Sequence, residues 1–222
     1  MRTRVYIVLA ATVLTTNYTQ AQFAFGTRAG FNFTNVSGNI DGIKMKHGLQ
    51  IGIVSNYILS DAYSIQPCIL FFTQGYKHNT DWVHTLPSGY EQVEIKQTVH
   101  LNYIQIPINI QKGINFTNLK LLLQSGVYFG FGLGGNSKIE STVNGIKENR
   151  EVKLKMGSNE FYNALDFGLG IGTGVQFDNL QAVLGYNFGL SKLIDKNGIP
   201  DTILKKSKNC GWALTLTYLF GY

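Results

Sequence analysis

Long apolar runs are missing from this chain. No stretch of ~18 apolar residues occurs, so no helix in it can span a membrane. Cysteine is scarce: there are two, Cys68 and Cys210, and their spacing fits neither a metal motif nor a redox motif. Each falls within an apolar alternating stretch, so buried, unpaired thiols are expected, with a disulfide between them as the alternative. Charge is low as well, at 14% of 222 residues, whereas glycine numbers 25 and aromatics reach 13%, a balance that favours β structure. A mean hydropathy of +0.00 reads at first as that of a soluble protein. It equally suits a sheet whose apolar outer residues are diluted by an alternating polar set.

The N-terminus is of a different kind from the rest. Arg2 and Arg4 precede a short apolar core, Val5 to Leu14, and Thr19-Gln20-Ala21 places acceptable residues before a cleavage point. Residues 1–21 are therefore expected to be a signal peptide that is removed, leaving 22–222 as one domain. No cysteine follows the apolar core, which excludes a lipoprotein signal.

The stretch from Cys210 to Tyr222 sets the pattern. Trp212, Leu214, Leu216, Tyr218, Phe220 and Tyr222 share one face, and Ala213, Thr215, Thr217, Leu219 and Gly221 share the other. Aromatics flank aliphatics on the greasy face, which is the profile of a strand crossing a bilayer. Seven further stretches alternate in the same way: Phe23–Phe33, His47–Tyr57, Ala62–Thr73, Val99–Gln111, Leu119–Phe131, Ala164–Phe177 and Leu180–Leu190. Their connections run long, short, long, short, long, short, long. The expected fold is therefore all-β: one closed, antiparallel, up-and-down transmembrane barrel of about eight strands, with long outer loops and short periplasmic turns.

Some details strain this picture. Pro67 and Pro107 lie inside strands of a barrel that has no free edge, so bulges are expected there. Val99 and Leu101 face inward if Ile104, Ile106, Ile108 and Ile110 face outward, which suggests a phase shift above the bilayer. The long segments Gln74–Thr98 and Gly132–Asn163 are polar. Ile139–Val143, Asn144-Gly145 and Ile146–Lys155 nevertheless read as a hairpin on a type I′ turn, and Val93–Lys96 as a further sheet extension.

The order FGTRAGFNFT, LNYIQIPINIQ, LDFGLGIGTGVQF, LGYNFGLSKLID and TLTYLF resembles the small outer-membrane β-barrel domain family, and within it the PorT-like proteins. The resemblance covers nearly all of the mature chain, and Pro107 fits its pattern. It implies an eight-stranded outer-membrane barrel; one branch of the group belongs to a protein-secretion system.

No motif carries chemistry. Gly130, Gly132 and Gly135 satisfy G-x-G-x-x-G, but the NSKIESTVNG that follows lacks the helix a dinucleotide site needs. His78, Asp81 and His84 lie close together and form the only candidate for a metal or hydrolytic site, and no spacing fixes a third ligand or a nucleophile. Gly168, Gly170, Gly172 and Gly174 make room inside the barrel for large side chains from across it, which argues against an open pore. Arg28 and Asp166 are placed inside by parity and are expected to share a polar network with Gln66, Gln105 and Asn109.

Outside the signal, all Lys and Arg except Arg28, Lys112 and Lys120 fall in the outer segments, as do all acids except Asp61, Asp166 and Asp178. That is fourteen cations against ten acids, or +4. Such a surface suits the phosphates of lipopolysaccharide. The basic Lys205, Lys206 and Lys208 do not indicate nucleic acid, because an exported chain does not meet it. The expected protein resides in the bacterial outer membrane, has a filled interior and needs no cofactor, metal or catalytic residue. Its partners are outer-membrane lipid and lipopolysaccharide, reached through its loops. A role in a protein-secretion or envelope-assembly complex is the first alternative. A membrane-embedded hydrolase and a soluble barrel for an apolar ligand follow.

Overall fold

The structure, a computed structural model, describes residues 23–37, 42–86, 89–143, 145–157, 160–194 and 207–220; within 82–92 the backbone alone is described. The strands are β1 (Phe23–Ser37), β2 (Ile43–Ile58), β3 (Tyr63–Leu86), β4 (Gly89–Asn115), β5 (Lys120–Val143), β6 (Ile146–Leu154), β7 (Leu165–Phe177), β8 (Leu180–Gly189) and β9 (Lys208–Phe220). Every neighbour pairing is antiparallel. The order β4-β3-β2-β1-β9-β8-β7-β5 closes on itself through the β4–β5 pairing, and β6 adds only to β5. The result is an eight-stranded barrel with a ninth strand outside the ring.

The alternation read from the sequence is realised strand by strand. In β9, residues 212, 214, 216, 218 and 220 are exposed and 211, 213, 215, 217 and 219 are buried. The exposed set is a lipid-facing band. Phe33, His47, Tyr186, Phe188 and Trp212 edge it on one side, with Tyr186 stacked edge-on against Trp212 at 4.9 Å and against Phe188 at 4.5 Å. Phe23, Phe25, Tyr63, Tyr218 and Phe220 edge it on the other, where Lys112 Nζ lies 5.8 Å from the Tyr63 ring. Among the described residues no helix is long and apolar enough to cross a membrane; the crossing is made by strands.

Several strands run well past this band. Gln74–Thr98, read as a polar connection, is instead the outer half of a continuous β3–β4 hairpin paired from Tyr63↔Lys112 to Leu86↔Gly89. Past Tyr76 it has no fully buried face, residues 77–81 and 93–98 being half-buried or exposed, so its polarity does not mark loss of strand. From Phe71 to Leu86, β3 extends about 50 Å along its own axis. The β5–β6 hairpin matches its expectation, with Val143 opposite Ile146 and Gly145 at a φ of 84°. Asn144 lies outside the described residues, as do residues 1–22.

Two expectations about irregularities change. Pro67 and Pro107 cause no bulge: the register from Pro67↔Ile108 resumes unshifted at Leu70↔Gln105. Each proline falls in a short gap of a different ladder: Pro67 between Val54↔Cys68 and Tyr57↔Ile65 of β2–β3, and Pro107 between Pro67↔Ile108 and Leu70↔Gln105 of β3–β4, and both ladders resume in the same register. Nor does β4 change phase. Residues 99, 101, 103, 105, 109 and 111 are all buried, so Val99 and Leu101 continue the inward face. The register shifts lie elsewhere: on β5, where Asn102 pairs with Gly134 and Tyr103 with Gly132, leaving Leu133 unmatched, and on β2 between Met45 and Gln50.

Val99 and Leu101 point inward because there is an apolar core to meet. Val36, Tyr76, Val99, Leu101, Tyr103, Tyr162, Leu193 and Ile194 pack together, with Ile43, Leu154 and Met156 against them. Residues 156–163 and 190–194 cross over to complete it, held by Asn163 N–H to Leu193 O at 2.9 Å and Gly157 N–H to Tyr162 O at 3.0 Å. The barrel interior is thus closed at its outer end as a water-soluble protein would be closed. Leu101→Ala should cost about 2–5 kcal/mol, the usual loss for a buried leucine. Denaturant unfolding in lipid vesicles measures it, and a loss below ~1 kcal/mol would show that these residues are not a packed core.

Candidate functional site

The side chains that reach the interior form two separate polar clusters below the apolar cap. The first surrounds Arg28, which parity turns inward. Its Nε donates to Thr217 Oγ1 at 2.8 Å and its Nη2 to Gln66 Oε1. Gln66 Nε2 donates to Gln181 Oε1 at 3.1 Å, and Gln111 Nε2 donates to Gln66 Oε1 and to Gln124 Oε1, both at 3.1 Å. Gln181 donates in turn to Gln176 at 3.0 Å. The cluster holds one cation among amides, and no carboxylate bonds to it among the described residues.

The second cluster surrounds Asp166. Its Oδ1 accepts from Ser191 Oγ at 2.6 Å, and its Oδ2 accepts from Gln74 Nε2 and Asn209 Nδ2, both at 3.0 Å. Three donors from β3, the β8–β9 connection and β9 saturate the carboxylate. The single network expected from the sequence is therefore two. Gln66 joins Arg28 as anticipated, but no hydrogen bond among the described residues links Arg28 to Asp166, and Gln105 and Asn109 bond to neither. Asp166 starts β7 and lies near the outer end, whereas Arg28 is mid-barrel. Parity gives the face of a residue and not its height, which tilt and stagger decide.

Between the clusters lies a cavity of about 50 Å³ lined by Arg28, Gln50, Gln105, Asn109, Tyr128 and Asn187. Cavities of about 10 Å³ lie above and below it. This is space for a few waters and not for a conduit. The glycines of β7 do make room, but for neighbours on the flanking strands and not for residues opposite. A Cβ on Gly168 would stand 2.6 Å from the Tyr128 ring of β5, and one on Gly170 would stand 2.9 Å from Asn187 Oδ1 of β8.

The motif candidates resolve into structure. Gly132 to Gly135 build the β5 bulge: Gly134 has a φ of 115°, and a Cβ on Gly135 would meet His100 O at 1.9 Å. A strand bulge offers no helix N-terminus to a pyrophosphate. His78 and Asp81 are three apart on β3, so they point to opposite faces. His84 has no described side chain. Among the described residues no group of histidine, cysteine and carboxylate side chains could hold a metal. Cys68 faces inward and Cys210 outward, and both thiols are free.

The outer mouth carries a feature the sequence did not flag. Lys46, counted among loop cations, is only 2% exposed and points into the barrel beside Gly75. Its Nζ reaches only carbonyls, His47 O at 3.3 Å and Gln74 O at 3.5 Å. It lies outside the band, which starts at Leu49 in β2. Burial, reinforced by Lys77, holds its pKa down at about 8. Nearby, burial raises the phenol of Tyr76 and that of Tyr162, whose hydroxyls lie 3.1 Å apart, so both stay protonated.

This is an all-β, closed, lipid-facing barrel with a filled interior, the class of small transmembrane barrels of the bacterial outer membrane. A family model described as outer membrane protein beta-barrel domain matches residues 18–195, and the chain belongs to that family. Solved structures with a similar fold include Neisserial surface protein A, at 14% identity and a TM-score of 0.42, covering 87% of this chain and 96% of that one. Another is Ail of Yersinia pestis, solved with the heparin analogue sucrose octasulfate, at 14% identity and a TM-score of 0.38, covering 90% of this chain and 100% of that one. The N-terminal barrel domain of Pseudomonas aeruginosa OprF is 11% identical with a TM-score of 0.35, covering 88% and 97%. No curated protein matches the chain.

Two outcomes are expected. Asp166→Asn and Asn209→Leu should be coupled by about 0.5–3 kcal/mol, whereas Asp166→Asn and Gln66→Leu should add to within ~0.5 kcal/mol. Equal coupling in both cycles would restore a single network. For Lys46, the folded pKa lies below the unfolded value of 10.5, so between about pH 8 and 10.5 the unfolded state binds more protons and stability rises with pH. Lys46→Met should be more stable than wild type at pH 7 and lose that rise; an unchanged pH profile would refute a strained ammonium at the mouth.

Proposed function

We propose that this protein is a non-conducting outer-membrane scaffold that presents a rigid sheet outside the cell for interaction or adhesion. One observation carries the reading: the lipid-facing band ends while β3, β4, β5 and β6 continue as a four-stranded fin above a sealed interior. A barrel built to pass solutes would not fill its bore with Gln66, Gln111, Gln181 and Tyr103 and cap it with Leu101 and Ile194. A fin paired to its tip loses little entropy on binding, because it is already ordered. Residues 1–21 act as the export signal in this reading. The work is presentation and not catalysis, with no cofactor.

A second reading, membership of a secretion or envelope-assembly complex, draws on the resemblance to PorT-like proteins. It also draws on a concave surface at the opposite rim, between Asn115–Lys120 and Gln176–Asn179. A partner in the periplasm would dock there.

The readings separate by topology and by truncation. A cysteine at Lys147 should react with a membrane-impermeant maleimide on intact cells, and one at Asn118 only after the outer membrane is opened. Replacing Ser137–Leu154 with a tight turn should leave insertion and heat-modifiable gel mobility intact while abolishing cross-links from a photoreactive side chain at position 92 or 147. Cross-links made instead from position 118, and unchanged by the truncation, would favour the periplasmic complex. Loss of insertion on truncation would mean that the hairpin serves folding and not presentation.

A further inference from the structure

The register of the fin sorts its outward charges by height. Just above the lipid-facing band, one cross-strand row runs Gly75–His100–Asn136–Lys153 and the next runs Lys44–Lys77–Thr98–Lys138–Glu151. These side chains point away from the barrel, because each alternates with a buried or core-packed neighbour: Tyr76 beside Lys77, Val99 and Leu101 beside His100, Ser137 beside Lys138. The two rows carry four lysines and one carboxylate, a net +3 with His100 neutral. The next two rows, Asn79–Lys96–Glu140–Asn149 and Asp81–Glu94–Thr142–Lys147, carry two lysines and three acids, a net −1.

The lower rows are also internally unsatisfied. Lys44 stands directly opposite Lys77, an arrangement that destabilises a sheet unless something anionic lies between the two. Among the described residues none of Lys44, Lys77, Lys138 and Lys153 forms an ion pair. The one acid in these two rows, Glu151, accepts a hydrogen bond from Asn136. Higher up the charges do pair: Lys96 Nζ meets Glu94 Oε1 at 2.6 Å. Repulsion reaches into the wall as well, since Lys77 acts on buried Lys46, and both lysines with Lys138 act on His100, whose imidazole is held below its ordinary pKa first by burial and then by these cations.

Height identifies the missing anion. The apolar outward residues end at Phe71, Ile104 and Leu133. With strands tilted as in such barrels, the two rows stand about 5 and 10 Å beyond Leu49 and Leu133, and about 10 and 15 Å beyond Phe71 and Ile104. This is the headgroup layer of the outer leaflet, within reach of lysine side chains that lie along the wall. We propose that Lys44, Lys77, Lys138 and Lys153, around His100, form a phosphate-binding band that holds the phosphates of outer-leaflet lipopolysaccharide against the β2–β6 side of the barrel. The proposal rests on the reading that this end faces outward.

The test uses the full mature chain in detergent with lipid A, or with the same lipid A after its phosphates are removed, and counts bound lipid by native mass spectrometry. Wild type should retain the phosphorylated form in preference to the dephosphorylated one. The variant K44Q/K77Q/K138Q should bind phosphorylated lipid A roughly tenfold to a hundredfold more weakly, as expected for three lysines at a charged surface. The variant K147Q/K192Q, which removes two exposed lysines outside the band, should bind as wild type does. Heat-modifiable mobility confirms that each variant is a closed barrel. Equal retention of both lipids by wild type, or undiminished binding by the triple variant, overturns the band. Displacement of lipid A by excess inorganic phosphate also overturns it, since that marks a simple anion site and not a headgroup seat. Labelling of Lys147→Cys only from the periplasmic side would instead refute the outward reading itself, whatever the lipid result.

Discussion

Closure of the hydrogen-bond ladder is the constraint on which everything else depends. In hydrocarbon no water can satisfy a backbone N–H or C=O, so a sheet that crosses the bilayer has to return to its own first strand. Here the ring is completed by β1 on β9 and β4 on β5. It fixes which face of each strand meets lipid and how wide the bore is. Pro67 and Pro107 each open a short gap, one in the β2–β3 ladder and one in the β3–β4 ladder, and the register on either side of each gap stays intact.

With eight strands the bore is narrow enough for side chains to fill, and this chain fills it in three layers. Amides around Arg28 occupy the periplasmic half, the saturated Asp166 sits above them, and a core of Tyr76, Val99, Leu101, Tyr162 and Ile194 closes the top. The outer layer is apolar although it stands beyond the membrane. Once the strands leave the bilayer their outer faces meet water, so burial of apolar surface again becomes available inside the ring. The protein is organised by two solvents: lipid outside the wall at one level, and an interior core of soluble type at the next.

That change of solvent also gives the fin its character. Past the apolar core, β3 to β6 have no fully buried face and carry mixed charge. Their register brings cations that are far apart in sequence onto neighbouring positions. Lys44, Lys77 and Lys138 belong to three different strands and become one row only through pairing. The proposed presentation surface and the proposed headgroup band both draw on this one extended sheet.

Alternation alone determined much of this protein. Trp212 through Phe220, Ile104 through Ile110 and Leu165 through Phe177 could be assigned to faces without any structure, because a period of two is local and the membrane enforces it. The count of barrel strands and the short turns followed in the same way, as did the inward placement of Arg28 and Asp166. What the sequence could not determine was height and range. Gln74–Thr98 looked like a loop because strands with no fully buried face lose the apolar signature that marks a strand. Val99 and Leu101 looked out of phase because the core they enter is built from residues 156–163 and 190–194, distant in sequence. Arg28 and Asp166 looked like partners because parity ignores stagger. The lysine row was invisible for the same reason: register across strands is set by tilt, bulges and ring closure, which no single strand encodes and only the assembled sheet decides.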